Sequence, residues 1–152
     1  MTLLLALLLS AFPSTDKTSW MRPDSFHLII GMERAAAEEA LVKWHPKQGK
    51  DASELVIDYS DDKSLTLEFR NDRLKAVRFE LFVFLPEIRK VFDEKRSFLE
   101  GAYGKPRKET KSVLIYDNML PNVMVVAKDD PASEQGKQGI GVLAVRYYDP
   151  RD

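Results

Sequence analysis

Apolar residues along this chain recur first at helical and then at pleated spacing, and they do so twice, from Leu28 to Leu85 and from Pro86 to Asp149. In the first stretch Phe26, Leu28, Ile29 and Ile30 lead to Gly31, and the Ala- and Glu-rich run Met32 to Trp44 predicts a helix. Ala36, Ala40, Leu41 and Trp44 lie on its apolar side, and Pro46, Gly49 and the polar residues to Ser53 end it. Leu55, Ile57 and Tyr59 then alternate with more variable positions, Asp61 and Asp62 mark a turn, and Leu65, Leu67 and Phe69 alternate again before Asn71 and Asp72. A third strand is predicted from Leu74 to Leu85. Its end, Leu81 to Leu85, is apolar at every position, which predicts cover on both faces and the contact between the two halves.

In the second stretch Pro86 suits the first turn of a helix, and Ile88, Val91, Phe92, Lys95, Phe98, Leu99 and Tyr103 form a regular helical stripe closed by Gly104 and Pro106. Strands are predicted at Val113 to Tyr116, Val123 to Lys128 and Val142 to Tyr148, separated by Asn118 to Asn122 and by a polar loop from Asp129 to Gly139. The pattern therefore describes an α+β protein. Two sequential helix-plus-three-strand units, 26–85 and 86–149, form an antiparallel sheet with both helices packed on one face, as one compact domain. Identity between the halves is slight, so a duplication is inferred from element order alone.

The chain begins differently. Thr2 to Phe12 is almost unbroken Leu and Ala, and Pro13, Ser14 and Thr15 lead to the first charges at Asp16 and Lys17. Residues 1–15 read as the apolar stretch of a secretory signal and 16–25 as a polar linker, which predicts a periplasmic or secreted protein. Against that stand the lack of Lys or Arg before Leu3 and a half-satisfied small-x-small rule at Leu9 and Ala11. The alternatives are a cytoplasmic protein and a first buried strand or helix. About eleven apolar residues fall short of the roughly twenty that cross a bilayer, so no transmembrane span is expected.

Composition narrows the classes further. Apolar residues make up 44% and charged ones 31% of 152 residues with a net charge of -1, which fits a folded globule and gives no overall pull toward nucleic acid. There is no cysteine, which excludes disulfides, thiol chemistry and a lipid on a lipobox cysteine.

Three fragments carry a resemblance. Leu28-Ile29-Ile30-Gly31-Met32 opening a helix, the Leu67-Glu68-Phe69-Arg70-Asn71-Asp72 hairpin and the Tyr103-Gly104-Lys105-Pro106 helix exit are similar to the small envelope domains of the SmpA/OmlA type and to the beta-lactamase-inhibitor-protein-like fold. The resemblance spans most of residues 26–149 and implies helices packed on an antiparallel sheet in a protein that acts by binding other proteins. Two departures accompany it: the acylated Cys of the family's lipoproteins is absent, and the inhibitor-like unit has two helices and four strands against the one and three counted here. No binding residue is carried over.

Chemistry-bearing motifs are sparse. His27 and His45 are the only side chains that titrate near neutrality unperturbed, and neither has a partner supplied by a motif; His45, between Trp44 and Pro46, suits a helix exit. Asp61-Asp62 and Asp129-Asp130 lack calcium-loop spacing, and the glycines from Gly136 to Gly141 lack the context of a phosphate cradle and read as a mobile hairpin loop. No metal, cofactor or catalytic residue is therefore assigned. The segment Arg89 to Lys111 is locally basic, but interspersed acids mark it as a solvated helix face. What remains is the sheet surface that helices leave uncovered. Tyr59, Phe82, Phe84, Tyr116, Tyr147 and Tyr148 lie on strands, and those that share the open face would form an aromatic patch suited to a protein or envelope partner. A competing expectation is a small-molecule binder or small enzyme with a pocket between the halves near Phe82, Phe84, Tyr116 and Tyr148.

Overall fold

The computed structural model describes residues 17–117 and 121–151. The expected signal segment 1–15 lies outside them. Helix α1 spans Arg34–Leu41 and continues as a 3-10 turn, Val42–Trp44. Four strands follow: β1 (Lys47–Gln48), β2 (Glu54–Ser60), β3 (Lys63–Arg70) and β4 (Arg73–Phe84). After a 3-10 turn at Leu85–Glu87 come α2 (Ile88–Tyr103), β5 (Lys108–Glu109), β6 (Val113–Tyr116), β7 (Asn122–Lys128), the single turn α3 (Glu134–Lys137) and β8 (Ile140–Tyr148).

All eight strands form one antiparallel sheet in the order β1-β2-β3-β4-β8-β7-β6-β5. The α+β class and the antiparallel sheet are as the pattern predicts. α1 is followed by four strands, and α2 by four with α3 before the last of them, rather than three, because β1 and β5 are two-residue ribbons held by backbone pairing, with no apolar alternation to betray them. The two sets meet along the whole length of β4 and β8, from Ala76 opposite Tyr148 to Phe84 opposite Ile140, not only at Leu81 to Leu85. Asn71 and Asp72, both at positive φ, make the two-residue turn between β3 and β4, the conformation that a tight hairpin demands.

Side-chain parity assigns the two faces. Leu65, Leu67, Val77, Phe79, Leu81, Val123, Val125, Leu143, Val145 and Tyr147 point to one side, where they form a single buried cluster with Ala37 and Leu41 of α1 and with Ile88, Val91, Phe92 and Leu99 of α2. Apart from Leu74, which a β-bulge between the Glu68–Ala76 and Phe69–Leu74 pairs turns inward, residues of the opposite parity do not enter that cluster, so among the described residues α1 and α2 cover one face and no helix packs on the other. The inward side of α1 is Ala37 and Leu41, and Ala36 is exposed. The apolar end of β4 is covered on one side only: Leu81 and Val83 are buried, while Phe84 is 75% exposed.

The stretch 17–25, read as a linker, is docked against the helix side. Thr18 and Met21 are fully buried, and the Lys95 ammonium of α2, itself 1% exposed, donates to the carbonyl oxygens of Thr18 (3.5 Å) and Met21 (3.3 Å). The Tyr147 hydroxyl donates to the same Met21 carbonyl at 3.0 Å. Trp20 packs on Tyr59 with ring centroids 5.7 Å apart, and Phe26, Trp44 and Phe79 complete the aromatic cluster. The polar spacing of this segment hides its two apolar anchors, Trp20 and Met21. The loop read as mobile is also organised: the Ser133 hydroxyl caps α3 by accepting from Gly136 N at 2.9 Å and donates to the Asp130 carbonyl at 2.7 Å.

Candidate functional site

The helix-free face is laid out in rows, since residues in register on neighbouring antiparallel strands project to the same side. The row Lys108, Ile115, Met124, Arg146, Arg78, Thr66, Val56 and Lys47 crosses all eight strands. Beside it run Val113, Val126, Ala144, Glu80, Ser64 and Asp58, and then Lys128, Val142 and Phe82. On β6 and β7 the half-buried Val113, Ile115, Met124 and Val126 make an apolar belt that no helix among the described residues covers. Small or branched residues Thr66, Ala76, Val142 and Ala144 sit buried between longer neighbours on this face.

Charge gathers where the two four-strand sets meet. Arg78 and Arg146 stand directly opposite one another on β4 and β8, a like-charge pairing that costs free energy unless carboxylates offset it. Glu68 and Glu80 supply them. The Arg146 guanidinium holds Glu68 through Nε at 2.9 Å and through its second nitrogen at 3.5 Å, and it lies 4.8 Å above the Tyr148 ring. Arg78 is less well served: its Nε is 3.4 Å from Glu80 and, although buried, has no hydrogen-bond partner among the described residues. A half-buried Arg beside aromatic and apolar neighbours is a composition typical of the energetic centres of protein interfaces.

The residues singled out in the sequence divide between the two faces. Phe82, Phe84 and Tyr148 lie on the open face, with Phe82 and Phe84 together at one end of the β4–β8 pair and Tyr148 at the other. Tyr59 is 40% exposed but belongs to the helix side, stacked on Trp20. Tyr116 and Tyr147 are buried under the helices. The six rings therefore form no single patch. Tyr116 is also separated by the sheet itself from Phe82, Phe84 and Tyr148, so these four line no common pocket. Burial pushes the Tyr116 hydroxyl up to about 12, with a smaller push from Glu100, and raises Tyr147 further still.

Two clefts stand out. One, of about 350 Å³, opens on the helix side between Leu28, Ile29, Phe98, Tyr103 and Tyr147, with the Arg22–Asp24 ion pair at its rim. The other, of about 380 Å³, is bounded by Phe82, Phe84, Ile140, Lys17, Asp61 and Glu87. Neither brings a nucleophile together with a base. His27 and His45 are exposed residues at positive φ that close 3-10 turns, and among the described residues no group of three metal-ligating side chains converges. The basic segment around α2 is paired internally, Arg96 with Glu109 at 2.8 Å, Arg89 with the Lys111 carbonyl at 2.6 Å, and Arg107 with Asp117.

The residues that the sequence reading passed over are Arg78, Arg146, Glu68 and Glu80 at the seam and Val113, Ile115, Met124 and Val126 beside it. Period-two alternation held the signal for most of them. Once Leu143 and Val145 are taken as core, Ala144 and Arg146 must face away. Among the described residues no helix is long and apolar enough to cross a membrane. No family model matches the chain, and comparison with curated proteins and with solved structures gave no match.

Proposed function

We propose that this chain is a non-enzymatic binding protein that docks a partner protein on the helix-free face of its eight-stranded sheet. The observation that carries the reading is the uncovered face itself, where an apolar belt adjoins a balanced pair of arginines and glutamates, a combination that folding alone does not call for. The resemblance to SmpA/OmlA-type and inhibitor-like domains supports it, since those act by binding proteins; each set here has the four strands of the inhibitor-like unit but one long helix where that unit has two. The apolar run from Thr2 to Phe12 supports an exported, periplasmic or secreted site of action.

The test is site-specific photocrosslinking in the envelope of the native host. A photoreactive residue at Met124, on the open face, is expected to trap a discrete partner that the same group at Glu38, on the exposed side of α1, does not. Equal trapping at both positions, or none at Met124, would refute the reading. Amino-terminal sequencing of the mature protein checks export separately.

A further inference from the structure

The two halves of the open face differ in charge, and the difference specifies a partner. On β5 to β8 the charged residues of this face are Lys108, Lys128 and Arg146, all cations. The β1–β4 side carries Glu54, Asp58, Glu68 and Glu80 beside Lys47 and Arg78. Arg146 is already engaged by Glu68, and Lys47 by Asp58 at 2.6 Å, whereas Lys108 and Lys128 have no ion-pair partner among the described residues. The acids nearest to them in sequence are turned to other tasks, Glu109 to Arg96 of α2 and Asp129 to Arg89. Between the two lysines lies the apolar belt. They are two rows and two strands apart, about 16 Å by strand geometry.

From this geometry we infer that the β5–β8 half of the open face takes a protein segment in which two carboxylates flank an apolar side chain. The inference rests on the reading of that face as a docking surface and adds the chemistry of what docks. An extended segment with acids at its first and fifth positions spans about 13 Å between them, and two long lysine side chains cover the difference. Its third side chain then falls on the belt of Val113, Ile115, Met124 and Val126. A second copy of this chain fits less well. A dyad running parallel to the strands over the β4–β8 seam, which would set the cationic half on the acidic one, also sets Arg146 on Arg78 and Lys108 on Lys47. The half-buried apolar belt likewise disfavours a nucleic-acid backbone, which needs cations throughout.

The experiment titrates the isotope-labelled full chain, followed by amide chemical shifts, with the peptide Glu-Thr-Leu-Thr-Glu blocked at both ends, and with Lys-Thr-Leu-Thr-Lys as its counterpart. The acidic peptide is expected to shift the amides of Val113, Ile115, Met124 and Val126, the basic one to leave them in place. In Lys108→Glu/Lys128→Glu, with its fold checked by circular dichroism, the acidic peptide is expected to bind roughly tenfold more weakly and the preference to reverse. Equal shifts from both peptides would overturn the acidic specificity while leaving the docking face in place. Failure of both peptides to shift these amides would overturn the inference, with the crosslink at Met124 then deciding whether the face docks anything. Stronger shifts with phosphatidylglycerol vesicles than with the peptide would assign the face to lipid and overturn it as well.

Discussion

Two side chains converge on one carbonyl in this protein and help to hold the 17–25 segment against the helix side. Lys95 and Tyr147 both donate to Met21 O, from α2 and from β8, so a buried cation and a buried phenol dock a stretch that sequence polarity marks as loose. Tyr147→Phe removes one buried bond and should cost about 1 kcal/mol; Lys95→Met also strips the Thr18 carbonyl and should cost about 1–3 kcal/mol. Because the two share an acceptor, the double variant should depart from the sum of the single costs, which urea unfolding of the four proteins measures. Hydrogen exchange should show residues 17–22 opening first in Lys95→Met. Tyr116 presents the reverse case, a fully buried hydroxyl without a hydrogen-bond partner among the described residues. Replacing it by Phe removes an unsatisfied polar group and should leave stability at neutral pH unchanged or slightly higher. The sign with pH follows from its raised pKa. Between 10 and about 12 an unfolded tyrosine releases its proton while Tyr116 in the folded protein keeps it, so the folded state loses stability as pH rises through that window. Urea midpoints at neutral pH and between those two values should converge in Tyr116→Phe relative to the parent; an unchanged alkaline loss would show that Tyr116 is not its source.

At the scale of elements, close backbone contacts matter as much as apolar burial. A Cβ on Gly136 would lie 2.0 Å from the Asp130 carbonyl oxygen, so α3 folds back on its own approach only because that residue is glycine. Gly136→Ala should cost about 1–3 kcal/mol and release the 129–139 loop, seen as faster amide exchange there with the sheet unaffected. Ser133→Ala, which removes the cap, should cost about 1 kcal/mol. These elements also mark where sequence legibility ends. The stripe of α2 and the alternation of β3 and β8 were plain because each buries one face against a common core. β1 and β5 were not, because strands of two residues carry no period. The open face was half legible: period two separates Tyr148 from Tyr147 and Arg146 from Val145, but which parity meets the helices is a tertiary fact. Tyr116 and Tyr147 lie in the core and Tyr59 in the aromatic cluster on the helix side, because aromatic strand residues serve packing as readily as recognition. The seam cluster was illegible for a different reason, since the register of β4 against β8 joins residues 68 positions apart, Arg78 and Arg146.

For the molecule as a whole, the β4–β8 pairing decides whether the two sets of strands behave as one body. The buried cluster runs from Leu41 and Ile57 through Phe79 to Val125 and Tyr116 without a break, and the last strand of each set, β4 and β8, pairs with the other at the centre of the sheet. Splitting the chain there would expose the long edges of β4 and β8 and the apolar flank of Phe79, Leu81, Leu143 and Val145, which neither half can cover alone. Folding should therefore be a single cooperative transition. The protein supplies its own probes, because Trp44 lies in the first half and Trp20 packs on Tyr59 and Phe79 of that half, while far-ultraviolet dichroism reports the whole sheet. Urea curves followed by tryptophan fluorescence and by dichroism should superimpose, and a chain ending at Leu85 should show neither a dispersed amide spectrum nor protected exchange. Two separable transitions, or a folded first half on its own, would mean that the seam is an interface between independent units and not the middle of one sheet.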